Sequence, residues 1–88
     1  MNNARTEYEE ALKIYRDLAQ KEPKTYLSYV AATLNNLGVL DRAQNRLEDA
    51  RNAFEEALKI YEAFATQDPD QFSPLVERMK KLLKHLPK

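Results

Sequence analysis

The chain has 88 residues, with no cysteine and a single glycine. Without cysteine, neither a disulfide framework nor a thiolate metal site can form. The absence of cysteine also gives no indication of whether the protein is found in an oxidising or a reducing compartment. One glycine cannot build the loop that cradles phosphate groups. Runs of strand-forming residues are also missing, whereas alanine, leucine, glutamate, lysine and arginine are abundant. This composition is typical of a helical protein.

Long apolar segments are missing as well. No stretch approaches the roughly 18 residues that a membrane-spanning helix needs, and the polar start MNNARTEYEE lacks the apolar core of a secretory signal. We therefore expect a cytoplasmic protein with no membrane partner. The 14 basic and 14 acidic residues balance to a formal charge of zero, and a chain of this length has room for one small domain.

One seven-residue phrase, EEALKIY, occurs twice in the chain. When the sequence is aligned with itself at an offset of 46 residues, residues 7–23 and 53–69 are identical at nine of seventeen positions. In both copies the apolar residues recur every three or four positions, which predicts an amphipathic helix. The segments that follow are related too, with Tyr26 matching Phe72. The sequence therefore contains an internal helical repeat.

We predict that the whole chain, residues 1–88, forms one all-α domain. Its four helices are expected to span residues 3–21, 25–44, 47–67 and 71–86. Short connections make consecutive helices antiparallel neighbours. Pro23 and Pro69 are expected to close the repeated helices, because proline restricts the residue before it. A break is predicted at Asn45, where the apolar periodicity resets and a poor helix former stands.

Residues 31–62 carry a family pattern of large, small and aromatic positions. The matching residues are Leu34, Leu37, Gly38, Leu47, Ala50, Phe54 and Ala57. This pattern resembles the tetratricopeptide repeat (TPR) family, and the 46-residue offset is similar to its longer repeats of the kinesin light chain type. The resemblance implies a superhelix of antiparallel helix pairs, with the first and third helices of type B, the second of type A, and the last a capping helix.

Two residues of the second helix conflict with their surroundings. Gly38 lies inside the predicted helix, where glycine costs about 1 kcal/mol relative to alanine. The resemblance implies that two helices approach closely there, with Ala50 and Ala57 facing Gly38; the alternative is a turn at LNNLG. Asp41 stands where the family usually has tyrosine. We expect its carboxylate to reach solvent at the edge of the core, unless an arginine pairs with it.

The two ends of the repeat differ in polarity. The last helix carries Lys80, Lys81 and Lys84 where the second has LNNLG, as a capping helix with an uncovered outer face requires. The first helix has no A-type partner, which implies an uncovered apolar stripe. Fewer than three repeats rarely bury a continuous core. Either the chain is a fragment of a longer array, or a second copy covers the stripe through a symmetric homodimer or an exchanged helix, and we favour this self-association.

Catalysis, metal binding and nucleic-acid binding find little support in the sequence. His85 is the single histidine, and neither a triad nor a metal-ligand spacing surrounds it. We therefore expect no enzyme activity, no metal and no cofactor. Basic residues cluster late in the chain, but acidic residues balance them and no aromatics alternate with them, so no nucleic acid is expected as a partner.

A protein or peptide partner is the function that we favour. In the TPR family the A-type helices line a concave groove, and the resemblance places Asn35, Asn36, Val39 and Arg42 there. An asparagine amide can both donate to and accept from the backbone of a peptide, while arginine can bind a carboxylate. The alternative for the asparagines is a structural bridge within the stack. Two functions stay open: an adaptor that binds a partner segment in this groove, and a self-assembling helical scaffold.

Overall fold

The computed structural model describes residues 3–87 and contains four α-helices in that range, without a strand. Helix α1 spans Asn3–Lys21, α2 spans Pro23–Ala43, α3 spans Leu47–Ala65 and α4 spans Pro69–Lys84. The prediction of an all-α protein with four helices is therefore confirmed. None of the described helices is long and apolar enough to cross a membrane.

Consecutive helices pack against one another, α1 on α2, α2 on α3, and α3 on α4. The shortest dimension of the chain is 15 Å, which matches two layers of helices whose axes lie about 10 Å apart. Arg16 of α1 and Glu56 of α3 form a paired hydrogen bond at 2.6 and 3.1 Å, which places these two helices side by side. Helices α1 and α3 thus form one layer, and α2 and α4 the other.

Pro23 and Pro69 open helices rather than close them. Each lies at the start of its helix, α2 or α4, where the missing N–H has no helical acceptor and the fixed φ suits the first turn. Asp68 caps α4, since its Oδ1 accepts a hydrogen bond from the Gln71 N–H at 3.3 Å. Helices α2 and α4 therefore begin two residues before their predicted starts. The ends differ less: α2 ends one residue, and α3 and α4 end two residues, before the predicted ends.

The turn between α2 and α3 depends on Asn45. This residue has φ 62°, in the left-handed region that asparagine tolerates better than most residues and that commonly ends helices. Its N–H donates to the Arg42 carbonyl at 3.0 Å, and the Arg46 N–H donates to the Asp41 carbonyl at 2.7 Å. The last turn of α2 is therefore closed by hydrogen bonds.

The core lies mainly between α2 and α3. Its largest fully buried side chains are Phe54, Met79 and Val30. Around them the two helices present small residues, and Ala31, Ala50 and Ala57 are each 0% exposed. Small side chains allow helix backbones to approach, while the aromatic ring fills the volume between them.

Aromatic stacking joins the other helix pairs, with the equivalent residues Tyr15 and Tyr61 each in one such pair. Tyr15 of α1 stacks on Tyr29 of α2, with ring centroids 5.3 Å apart. Phe72 of α4 stacks on Tyr61 and Phe64 of α3, at 6.3 and 5.0 Å. Offset ring pairs contribute about 0.5–1.5 kcal/mol beyond their burial. These contacts hold α1 and α4 onto the central pair.

Gly38 lies within continuous helix α2, so the alternative of a turn at LNNLG is wrong. A Cβ at this position would lie 2.5 Å from Cε1 and 2.8 Å from Cδ1 of Phe54. The predicted close approach therefore exists, but its partner differs from the expectation. The Phe54 ring, rather than Ala50 or Ala57, occupies the space that a side chain would need.

Asp41 is buried, so the favoured expectation that its carboxylate reaches solvent is wrong and the alternative of an arginine partner is confirmed. Its side chain is only 5% exposed and forms an ion pair with the guanidinium of Arg5, from α1. Arg5 also donates to Glu9 at 3.2 Å. Because a buried charge is costly without a partner, the pair couples the start of α1 to the end of α2.

Candidate functional site: a cleft across helix α2

A cleft of about 350 Å³ crosses helix α2. Three helices line it: α1 contributes Ala4 and Tyr8, α4 contributes Arg78, and α2 contributes Asn35, Asn36, Val39, Leu40 and Ala43. The cleft is therefore a feature of the packed repeat, and no single helix could form it.

The amphipathicity of α2 explains which residues reach the cleft. Ala31, Leu34 and Gly38 recur at helical spacing and are buried, so they define the side that packs on α3. Asn36 and Ala43 lie on the opposite side and are exposed. Residues separated by seven positions share a helix face, and this face forms the floor of the cleft.

Three of the four predicted binding residues come together in the cleft. Asn35, Asn36 and Val39 all line it; Asn36 is exposed, and the other two are half-buried. Arg42 is exposed but does not belong to the lining. It lies one helical turn after Gly38, on the side of α2 that packs on α3, whereas Asn36 and Ala43 lie on the opposite side.

Asn35 contributes an unusual polar atom. Its Oδ1 is buried and has no hydrogen-bond partner among the described residues. A buried acceptor without a partner costs about 1–3 kcal/mol, so such atoms are rare in folded proteins. An N–H donor that entered the cleft next to Asn35 could remove this cost.

Sequence reasoning missed Tyr8 and Arg78 as lining residues. Tyr8 is one of the apolar residues that recur every three or four positions in the first helix, and the repeat matches it to the fully buried Phe54. Arg78 was grouped with the basic residues of the last helix. The sequence did offer one signal for Tyr8. Its equivalent, Phe54, packs against Gly38, but no helix with a glycine is predicted opposite Tyr8, so its ring was expected to be less buried.

Arg78 sets the charge of the cleft. Among the described lining residues it is the one charged side chain. Its field also reaches the core: burial raises the pKa of the Tyr61 hydroxyl, and the positive charge of Arg78 opposes part of this shift. The cleft therefore combines one cation, two amides and the apolar side chains of Val39, Leu40 and Ala43, which suits a peptide backbone and a carboxylate.

A second hollow of about 320 Å³ lies where the start of α2 meets the end of α3. Its floor is apolar, with Leu27, Ile60 and Phe64, and lysines 24 and 59 stand at its rim. It offers no amide side chain other than Gln67. None of the predicted binding residues lies there.

The comparisons with known proteins agree with the fold. The family model described as tetratricopeptide repeat matches residues 1–63, which include α1, α2 and most of α3. Helix α4 lies outside the matched residues, and it is the helix whose sequence departs most from the repeat. No curated protein and no solved structure was found to match the chain. The chain therefore belongs to the tetratricopeptide repeat family, whose repeats are non-catalytic and generally mediate protein–protein interactions.

Proposed function

We propose that this protein binds a segment of a partner protein in the cleft across α2. The observation that carries the proposal is the unpartnered, buried Oδ1 of Asn35, next to the exposed amide of Asn36. Both residues line a cleft of about 350 Å³. Polar groups placed so can be satisfied by the backbone of a bound chain.

Different lining residues can recognise different chemical groups of a bound segment. Asn36 can donate to a carbonyl and accept from an N–H, which fixes the register of a bound segment. Val39, Leu40 and Ala43 offer apolar contacts beside it. Arg78 can form a charge-assisted hydrogen bond with a carboxylate. Arg42 stays a predicted contact residue, but it lies outside the cleft, on the Gly38 side of α2.

Affinity capture with matched variants tests the proposal. The immobilised chain is compared with Asn36→Ala, Arg42→Ala and the control Glu62→Ala, and recovered proteins are quantified by mass spectrometry. All three residues are exposed, so the fold should be retained, as circular dichroism can check. Partners lost from Asn36→Ala but kept by Glu62→Ala support the cleft. Equal recovery by all variants overturns it.

Self-association is a second candidate, because α1 leaves large apolar side chains in solvent. Ile14 is 57% exposed and Leu18 is 36% exposed. A second copy could cover them, in line with the predicted homodimer. Sedimentation equilibrium over a range of concentrations separates the two functions. A monomer throughout excludes the scaffold, whereas a dimer that Ile14→Gln dissociates supports it.

A further inference from the structure

The second hollow, where the start of α2 meets the end of α3, takes no part in the proposed function. It measures about 320 Å³, and its wall is mainly apolar. Leu27, Ile60 and Phe64 belong to this wall, and each of them is only half-buried. Three large apolar side chains therefore share one concave surface that is open to solvent, which is typical of a binding site.

The hollow does not result from a missing neighbour in the stack. Helix α2 packs on α1 and α3, and α3 packs on α2 and α4, so each lining helix has two neighbours. The wall is also held in place. The Phe64 ring stacks on Phe72 of α4, with centroids 5.0 Å apart, and Leu27 and Ile60 pack against the core. The hollow is thus formed in the free protein, and a ligand need not order it.

The charge of the hollow is positive. Two ammonium groups stand at its rim, on Lys24 and Lys59, and no carboxylate belongs to the lining. Glu55 lies four residues before Lys59 and Glu62 three residues after it, at spacings that allow ion pairs along a helix. Among residues 3–87, however, neither lysine forms an ion pair. The rim therefore offers two uncompensated positive charges to a ligand.

The other copies of the repeat do not have this combination of charge and apolar wall. At the 46-residue offset, Asp70 of α4 stands where α2 has Lys24. In α1, Asp17 stands where α3 has Ala63. A carboxylate thus occurs at each of these equivalent places, whereas the hollow has none. Its positive charge is therefore a property of α2 and α3 and not of the repeat in general.

The size of the hollow favours a small molecule over a protein segment. From Lys59 to Gln67 the wall follows α3 for about 12 Å, and eight residues line the hollow. A stable protein interface has about 20–30 residues on each side, so the hollow alone is too small for a partner chain or a second copy. Pockets for small molecules begin at about 300 Å³. A volume of about 320 Å³ suits a ligand at the small end of this range.

We propose that the hollow binds an amphiphilic carboxylate, a small molecule with one carboxylate and an unbranched apolar chain. The chain lies on Leu27, Ile60 and Phe64, which removes apolar surface from water on both sides. The carboxylate stays at the rim, where the ammonium groups of Lys24 and Lys59 can donate hydrogen bonds to it. The hollow and the cleft across α2 share no lining residue, so this inference does not depend on the proposed function.

Decanoate is the probe, and an NMR titration of the isotope-labelled chain follows the backbone amide of each residue. We expect saturable shifts around Leu27, Ile60 and Phe64, and no saturable shift around Asn36 in the cleft. Octanoate, which is two methylenes shorter, should bind about tenfold more weakly, because each buried methylene contributes to affinity. Decanol has the same chain without the carboxylate, and its affinity should not respond to a change of the rim lysines.

Exposed side chains of the hollow allow matched variants. Lys59→Gln should weaken decanoate binding about two- to fivefold, as expected for one exposed ion pair, and Lys24→Gln repeats this test on the other helix. The control is Lys13→Gln, because Lys13 is exposed and is the equivalent of Lys59 in α1. Ala63→Asp introduces the residue type that α1 has at the equivalent place. It should weaken binding more than Ala63→Asn does, since only the first change adds a negative charge.

Each of the other outcomes overturns the inference. Shifts that do not saturate, or that spread over the whole surface, mean that decanoate has no site in the hollow. Saturable shifts around Asn36 assign the ligand to the cleft instead. Equal affinities of the Lys59→Gln and Lys13→Gln chains reject the role of the rim charges. If decanoate gives no saturable shift while Lys59→Gln abolishes partner capture or self-association, the hollow belongs to a protein. The spectra also report whether each variant is folded.

Discussion

Substitution of Gly38 by alanine tests the closest contact in the fold. In an exposed helix the change would stabilise the protein by about 1 kcal/mol, because alanine has the higher helix propensity. Here the new Cβ would lie 2.5 Å from the Phe54 ring, whereas ordinary carbon contacts are about 3.5–4.0 Å. Phe54 is 0% exposed, so its ring cannot move into solvent and must be accommodated within the close-packed core.

The expected result follows from the balance of these two effects. Overpacking of a close-packed core costs about 1–3 kcal/mol, and an overlap with a fully buried ring belongs at the upper end. After the gain in propensity, we expect a net loss of about 2 kcal/mol in the free energy of unfolding. Urea denaturation followed by circular dichroism measures this loss.

The same substitution made in a Phe54→Leu variant tests whether contact with the Phe54 ring causes the loss of stability. In Phe54→Leu the ring is absent, so Gly38→Ala should become neutral or stabilising there. The double-mutant cycle should therefore show a coupling energy of about 2–3 kcal/mol. If Gly38→Ala instead stabilises the original chain by about 1 kcal/mol, as it would at an exposed site, the inferred packing of α2 on α3 is refuted.

Three further predictions concern polar groups. Arg5→Ala leaves the Asp41 carboxylate buried alone and should cost about 3–5 kcal/mol in urea denaturation, whereas Arg5→Met combined with Asp41→Leu should be close to neutral; a cost below about 1 kcal/mol for the single change would contradict the buried pair. Burial raises the pKa of the Tyr61 hydroxyl above its ordinary value of 10.0, so the folded state favours the protonated form. Its contribution to stability is complete below pH 10.0 and is lost as the pH rises through the folded pKa; Tyr61→Phe should remove this alkaline component, and an unchanged pH profile would oppose the assignment. Asn35→Ala removes an unpartnered acceptor from the free protein, so the free energy of unfolding should stay equal or rise while partner capture falls; a parallel loss of both would point to a structural role instead.

The helices could be predicted because their causes are local. Apolar residues at spacings of three and four define α1 and α3, and the 46-residue repeat relates one to the other. The starts of α2 and α4 were missed by two residues, since Pro23 and Pro69 can either follow one helix or open the next. Only the length of the connecting turn decides between these roles.

Contacts between distant residues were harder to predict. The resemblance to the TPR family implied a close approach at Gly38, with Ala50 and Ala57 rather than the Phe54 ring as the facing residues. Asp41 was misjudged because its partner, Arg5, lies on another helix and no periodicity links the two. The same limit applies to the cleft: Asn35, Asn36 and Val39 share α2, whereas Tyr8 and Arg78 reach the cleft only through packing.

The central claim is that equivalent residues of the repeat differ in burial: Ala50 of α3 is 0% exposed where α2 packs on α3, whereas Ala4 of α1 is exposed. Thiol labelling tests it directly, because the chain has no cysteine of its own. Ala4→Cys and Ala50→Cys place one thiol at equivalent positions in the first turns of α1 and α3. We predict that the thiol at position 4 reacts nearly as fast as an unstructured peptide, and that the thiol at position 50 reacts at least about a hundredfold more slowly, because α2 must first separate from α3. Equal rates at the two positions would contradict the account.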